Sequence, residues 1–506
     1  MNGPAIDRTI FSLAVLAVAI VCVPLALYPE EAGAGIADLY GWIASNLGIL
    51  YQLAALATVV VLAYLAFGPH RDVLLGSEGE RPEFSTLSWV GMLFCAGVGA
   101  GLLYWAPTEW ALYYEGPPYG VEPRSTAAIE WGTAYGLFHW GFVAWAFYAL
   151  PTIAIAHPYY VHRAPFLRAS TACHALLGPR GENSLAGRAI DLTFMIALLG
   201  GAGTSLGFSA PMIASLLAKL FGTDSSLALQ LAVVVACIGL FALSSYLGIQ
   251  KGIKRLSDLN VVLALCLVGY IVVVGPTLFI VRMGVDSIGF MFANALRMAT
   301  WTDPIDRSGF VEDWTIFYWA WWIAYAPFVG LFVTRISRGR TIRQVVVNMI
   351  VFGSVGAWLF YVVLGHFALD LELTQRLSVT GLIANEGQAR AVAEIVAALP
   401  LRDAALAVFA IVAVVFAATT YDSASYSLAA SATSNLAPGE NPSRGHRLFW
   451  AGALGALPAG MMLVGGLKVM QSASLVASLP LLVVGVAMTV SLFKSLQASQ
   501  SAGPGS

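Results

Sequence analysis

Three uninterrupted apolar runs, Ile10–Tyr28, Ile49–Phe67 and Val345–Phe367, limit what this chain can fold into. Each supplies the ~20 residues that an α-helix needs to cross a ~30 Å hydrocarbon core. With no water at that depth, only a helix or a closed barrel satisfies its own backbone. The rest of the chain suits the same solvent. Of 506 residues, 58% are hydrophobic and 11% charged, whereas a soluble domain carries about a quarter charged. So few polar groups could not cover a folded surface in water. The first run reads as a true span and not a cleaved leader, because no small-residue cleavage site follows it. A net charge of −2 excludes a basic nucleic-acid binder. The five cysteines (Cys22, Cys95, Cys173, Cys237, Cys266) are odd in number and mostly lie in apolar segments, so no disulfide framework is implied.

Windows of about 19 residues predict helices near 10–28, 49–67, 87–114 (with a break), 127–155, 190–218 and 227–248. Six more follow near 257–282, 312–334, 345–367, 403–430, 446–466 and 472–493, making twelve spans. The stretch 286–299 is amphipathic and is expected to lie on the membrane surface. Residues 377–399 read as an extracellular hairpin of short helices. With both termini inside, the cytoplasmic segments gather most of the 26 Lys and Arg, as the positive-inside rule requires.

Residues 96–101 read Ala-Gly-Val-Gly-Ala-Gly in the middle of the third span. Three glycines in five residues weaken a helix, and unwound backbone at mid-membrane is tolerated only where it lines a cavity. Such breaks present carbonyls and half-helix ends to ions and substrates in secondary transporters, so Gly97 and Gly101 are candidate substrate-site residues. The fourth span carries Trp140, Trp145 and Tyr148, and the eighth Trp319, Trp321, Trp322 and Tyr325. Membrane aromatics usually form interfacial belts, but these sit well inside their spans. At about 100° per residue, 140, 145 and 148 fit one arc, and 319/322 and 321/325 form neighbouring stripes. Two facing aromatic walls make a cage for a quaternary ammonium, each desolvated face contributing ~2 kcal/mol. In the tenth span, Thr419 and Thr420 stand beside Asp422, a pattern that suits a hard cation and marks a functional segment. Glu109, Glu130 and His139 read as structural. Gly203-Thr-Ser205-Leu-Gly207 matches G-x-S-x-G, but a nucleophile elbow needs a strand-to-helix turn. No HExxH, P-loop or paired CxxC occurs, so no enzyme is expected.

The stretch from Phe317-Tyr-Trp319-Ala-Trp321-Trp322-Ile through Pro327-Phe-Val-Gly330 to Arg335, Arg338, Arg340 and Arg343 resembles the signature of the betaine/carnitine/choline transporter family. The glycine-rich third span, His139-Trp140 through Tyr148, Lys251-Gly-Ile-Lys254 and Thr419 to Ser423 extend the likeness over nearly the whole chain. The resemblance implies an all-α membrane protein of twelve transmembrane helices. Two inverted five-helix repeats of the LeuT type would follow two extra helices. The implied divisions are 1–86 for the extra helices, 87–283 for the first repeat and 284–311 for the surface helix and loop. The second repeat would take 312–494, with a short tail at 495–506. It also implies a homotrimer in the inner membrane that transports a zwitterion such as glycine betaine, without cofactor and with Na⁺ as coupling ion.

By position, the resemblance makes Trp140, Tyr148, Trp321 and Trp322 the central cage, with Trp145 and Tyr325 contributing and Trp319 at an outer site. Its sodium site would take the carbonyls of Cys95, Val98 and Phe416 with the hydroxyls of Thr419 and Thr420. Three departures bear on coupling and substrate. Tyr325 is similar to the sodium-independent carnitine exchangers, yet Val261 and Val329 replace the Arg and Met of that branch. Leu198 and Ala202 stand where a second sodium site has threonines. Gly101 lacks the carboxylate found there in choline carriers, which favours a substrate bearing its own. Sodium-independent substrate/product exchange is the alternative reading.

Overall fold

The structure, a computed structural model, describes residues 5–96, 99–178, 181–247, 250–434, 436, 440–464 and 467–501. In chain order, the first helices are α1 (Arg8–Leu27), α2 (Pro29–Phe67), α3 (Thr86–Ala96), α4 (Ala100–Trp105), α5 (Glu109–Glu115), α6 (Thr126–His139) and α7 (Phe142–Tyr160). Next come α8 (His174–Leu177), α9 (Leu185–Phe221), α10 (Leu227–Leu247), α11 (Gln250–Val274), α12 (Thr277–Thr300) and α13 (Phe317–Ile336). The chain ends with α14 (Ile342–Phe360), α15 (His366–Leu373), α16 (Val379–Glu386), α17 (Gln388–Ala397), α18 (Arg402–Ser431), α19 (Arg444–Val464) and α20 (Leu467–Ser501). Side-chain caps start several of them: Asp7 on α1, Ser125 on α6, Ser184 on α9 and a Thr341/Gln344 capping box on α14.

This is an all-α membrane protein. Ten of its described helical segments are long and apolar enough to cross a bilayer. Shorter apolar stretches lie in α10 and α11, and the expected third span is interrupted. The helix α3 stops at Ala96 and α4 resumes after Gly99, whose backbone is extended (φ −151°, ψ 174°). A second interruption, at Ala106–Thr108 around Pro107, separates α4 from α5.

Two expected boundaries need correction. The seventh span does not run to 282: Gly275-Pro276 ends it at Val274, because proline has no N–H to continue the ladder. The amphipathic helix therefore starts at Thr277 and has 24 residues, enough by length and composition alone to count among the ten. Nor is the fourth span continuous, since α6 ends at His139 and α7 begins at Phe142. The short-helix hairpin expected at 377–399 forms as α16 and α17.

Two short antiparallel pairs tie the bundle at one end. Ala5–Ile6 pairs with Thr433–Ser434 after α18, and Leu74–Leu75 after α2 pairs with Arg340–Thr341 after α13. Because α1 leads away from that end and α2 returns, both ties lie on the same face. Arg188 reaches Asp7 there at 3.2 Å, and Ser495 and Ser499 of α20 meet His157 in the last turn of α7 and His162 just beyond it. Both ends of the described chain thus share a face with the arginine-rich segment after α13. At the centre, α13 packs on α7 and α9, α9 on α18, and α4 against α9 and α18.

Candidate functional site

The breaks in the third and fourth spans meet at one place. Gly141 needs to be glycine: a Cβ there would lie 2.6 Å from the Leu137 carbonyl and 2.9 Å from the Trp358 indole nitrogen. The broken helix leaves carbonyls without intrahelical donors, and indoles supply them. Trp358 Nε1 donates to the Leu137 carbonyl at 2.7 Å, and Trp322 Nε1 to the His139 carbonyl at 2.8 Å. Trp140 therefore comes from the frayed end of α6, and Trp145 and Tyr148 from α7. The single arc drawn through all three assumed one continuous helix, and Gly141 resets its phase.

These elements enclose a cavity of about 160 Å³. Gly101, Trp140, Trp145, Tyr148, Trp321, Trp322 and Tyr325 all line it, so seven of the nine expected substrate residues converge. Gly97 lies outside the described residues. Trp319 does not line the cavity: it stands about 200° around α13 from Trp321. Its ring packs on Phe138 (5.5 Å), His139 (5.7 Å) and Phe147 (5.9 Å), and it is buried.

The cage rings meet at defined angles. Trp321 and Trp322 are parallel (5.0 Å, 11°), and Trp140 stands edge-on to both, 5.9 Å from Trp321 and 4.8 Å from Trp322. Tyr148 is perpendicular to Trp322 (6.1 Å, 83°), and Trp145 is perpendicular to Tyr148 (5.5 Å, 87°). Each central indole N–H is engaged outside the cavity. Trp321 donates to the Gly201 carbonyl (3.2 Å), Trp322 to the His139 carbonyl, and Trp140 to the Glu109 carboxylate (3.2 Å). Apolar ring surface is what remains for an occupant. A cavity of about 150 Å³ takes a molecule of benzene's size.

Glu109, read from the sequence as structural, is the brace behind this wall. It is fully buried, and its carboxylate also accepts from Tyr318 (2.6 Å), Tyr113 (2.6 Å) and Tyr361. His139 Nδ1 lies 3.7 Å away, and its Nε2 meets Thr315 at 3.1 Å. A buried carboxylate is tolerated only when so satisfied. Two of these partners, Thr315 and Tyr361, lie in π-helical turns (Val311–Ile316 and Tyr361–Gly365), which re-aim side chains that a regular helix would carry elsewhere.

Sequence reasoning missed a second aromatic layer. Phe317 stacks on Trp321 (5.5 Å), Tyr104 stacks on Phe208 (5.2 Å), and Phe208 meets Trp321 at 5.9 Å. It backs Trp321 toward the N-terminus of α13. It also missed the hydroxyls. Ser205, inside the dismissed G-x-S-x-G, pairs with Tyr325 at 2.9 Å, and Ser209 and Tyr421 line the cavity. The only warning of these was polar residues in apolar spans. Among the described lining residues there is no acid, lysine, arginine or histidine.

Of the expected sodium ligands, three gather within one turn of α18. Thr420 Oγ1 lies 2.8 Å from the Phe416 carbonyl and Thr419 Oγ1 3.1 Å, both donating to it. Thr419 also reaches the Val415 carbonyl at 2.9 Å, and Thr420 lines the cavity. Cys95 lies in the last turn of α3, and Val98 is outside the described residues. The Asp422 carboxylate pairs with Arg447 of α19 at 2.7 Å. At the doubtful second sodium site, the Ala202 carbonyl accepts from Tyr421 (3.1 Å).

A family model described as "BCCT, betaine/carnitine/choline family transporter" matches residues 9–501. The chain is 33% identical over 491 residues to the "Carnitine transporter" of Acinetobacter baumannii, covering 97% of this chain and 89% of that one. It is 36% identical over 425 residues to the "Uncharacterized transporter YeaV" of Escherichia coli, covering 84% and 88%. The solved structure of a Na⁺-coupled sialic acid symporter aligns over 90% of this chain and 86% of that one, at 15% identity and a TM-score of 0.36.

Proposed function

The chain belongs to the betaine/carnitine/choline transporter family, and on that premise we propose that it carries a quaternary-ammonium or sulfonium zwitterion such as glycine betaine by sodium-coupled alternating access. The observation that carries this reading is the cavity itself. Its wall is aromatic, the indole N–H groups of Trp140, Trp321 and Trp322 are turned away to fixed acceptors, and no charged side chain lines it among the described residues. Ring faces attract a cation that has no hydrogen to donate. With no buried countercharge in the lining, a bare cation would be desolvated without compensation. A zwitterion brings its own carboxylate, to which the Ser205–Tyr325 hydroxyl pair can turn the one proton it does not use internally.

Sodium coupling is supported by the three hard oxygens of Phe416, Thr419 and Thr420 beside the cavity, a donor set suited to Na⁺ and not to a soft metal. One Na⁺ moving down 100 mV supplies ~2.3 kcal/mol. Exchange without sodium is the second reading. What favours it is Tyr325 in the cage and the Acinetobacter relative named a carnitine transporter. In the same proposal the arginine-rich face is cytoplasmic, the protein is a homotrimer of the cell inner membrane, and the two five-helix repeats correspond to residues 87–283 and 312–494. It is a carrier and not an enzyme, and binds no nucleic acid.

A competition panel tests both halves. Proteoliposomes should accumulate labelled glycine betaine, with competition by other quaternary-ammonium zwitterions, only when Na⁺ is present outside. Uptake fully retained without Na⁺, at zero potential and equal pH, would reject symport in favour of exchange.

A further inference from the structure

A second cavity, of about 230 Å³, lies behind the cage helices, between α7 and α13 on one side and α2 and α20 on the other. All four belong to membrane-spanning segments. Pro151 of α7 and Pro327 of α13 both line it. Proline lacks an N–H, so the carbonyls four residues earlier, at Phe147 and Ile323, lose their intrahelical donor and the helices bend there. Phe147 and Ile323 line the same cavity. The weak joints of both cage helices therefore face one space. Each helix is a partition: α7 presents Trp145 and Tyr148 to the cage, and α13 presents Trp322 and Tyr325, within a turn of these joints. The helices also cross tightly beside it. A Cβ at Gly330 would stand 3.1 Å from the Thr152 nitrogen and 3.2 Å from the Pro151 carbonyl carbon.

The chemistry of the walls selects the occupant. Thr58 and Thr489 are the only polar side chains among the described lining residues, and the Thr489 hydroxyl is spent on the Gly485 carbonyl at 2.8 Å. The two freed carbonyls and Thr58 have room for a water at the joints, but the rest of the wall is apolar and offers a water none of the two to four polar partners it needs. An empty cavity of this size is costly. At its rim, Val486 and Val490 are 66% and 44% exposed on the outer surface of α20, so the cavity opens sideways into lipid. We propose that it binds one acyl chain of a bilayer phospholipid, which fills the space the two proline joints flex into and so sets the mobility of the cage helices.

The test uses the full chain in vesicles of phosphatidylcholine carrying a photoactivatable diazirine on its acyl chain, with labelled residues located by mass spectrometry. Leu150 and Ile323, 8% and 7% exposed, should be labelled although they are shielded from the outer surface. In Gly485→Phe, whose new side chain starts in open space, their labelling should be lost. Labelling of Val483, 73% exposed on the outside, should persist. Ala54→Phe fills the same cavity from α2 and serves if the first variant does not fold. Labelling of Val483 without Leu150 or Ile323 in the wild type would overturn the proposal. So would unchanged labelling in the filled variants, or crosslinks showing that a second copy of this chain covers the opening.

Discussion

Trp322 carries three duties at once: it walls the cavity, stacks on Trp321 and donates to the carbonyl freed at His139. Trp322→Ala should weaken substrate binding by about 2 kcal/mol, roughly thirtyfold in Kd, in a titration followed by intrinsic fluorescence; Trp322→Phe should lose less. Glu109 acts at one remove, through Trp140. Glu109→Gln leaves the size alone but turns one end of the acceptor into a donor facing tyrosine hydroxyls and an indole N–H. It should cost about 1.5–3 kcal/mol of stability, read as a lower Tm in detergent, and should weaken substrate binding as Trp140 loses its anchor. Thr419→Ala should raise the Na⁺ concentration for half-maximal uptake while leaving substrate affinity at saturating Na⁺ nearly unchanged. The aromatic residues of the cage were legible in the sequence because large rings deep in apolar spans have few other uses. The role of Glu109 was not. A lone acid in a span shows no partners until Tyr318 and Tyr361 arrive from two distant elements to join Tyr113 of its own helix.

At the scale of elements, interruptions matter more than helices. The glycine run of the third span announced its own break. The break at Trp140–Gly141 is not legible because a single glycine in an apolar helix usually signals close packing, and a side chain there meets both the Leu137 carbonyl and Trp358, the latter more than two hundred residues away. Gly141→Ala should push Trp358 off the Leu137 carbonyl and leave that buried group unpaired. The expected loss is about 1–3 kcal/mol, measured by thermal unfolding of the purified protein. The same blindness explains Trp319. Spacing along α13 placed it on a stripe with Trp322, but the neighbours that bury it come from the end of α6 and from α7. Gly275-Pro276, by contrast, is legible as a stop even inside a long apolar run.

For the molecule as a whole, hydropathy was a sound guide because the solvent imposes it: the spans had to be apolar, and helices had to be closed on themselves. Where the segments meet is a different matter, since α4, α7, α9, α13 and α18 come from distant parts of the chain. Periodicity carries nothing about which faces meet. What they build is an aromatic chamber with hydroxyls and, among the described lining residues, no charge. Its most direct test is competition by the carba analogue of glycine betaine, tert-butylacetate, in which a neutral carbon replaces the quaternary nitrogen at almost unchanged shape. If cation–π attraction holds the substrate, glycine betaine should compete for uptake in proteoliposomes, and the analogue, having lost several ring contacts of ~2 kcal/mol each, should not. Equal competition by the two compounds would contradict a cage for a cation.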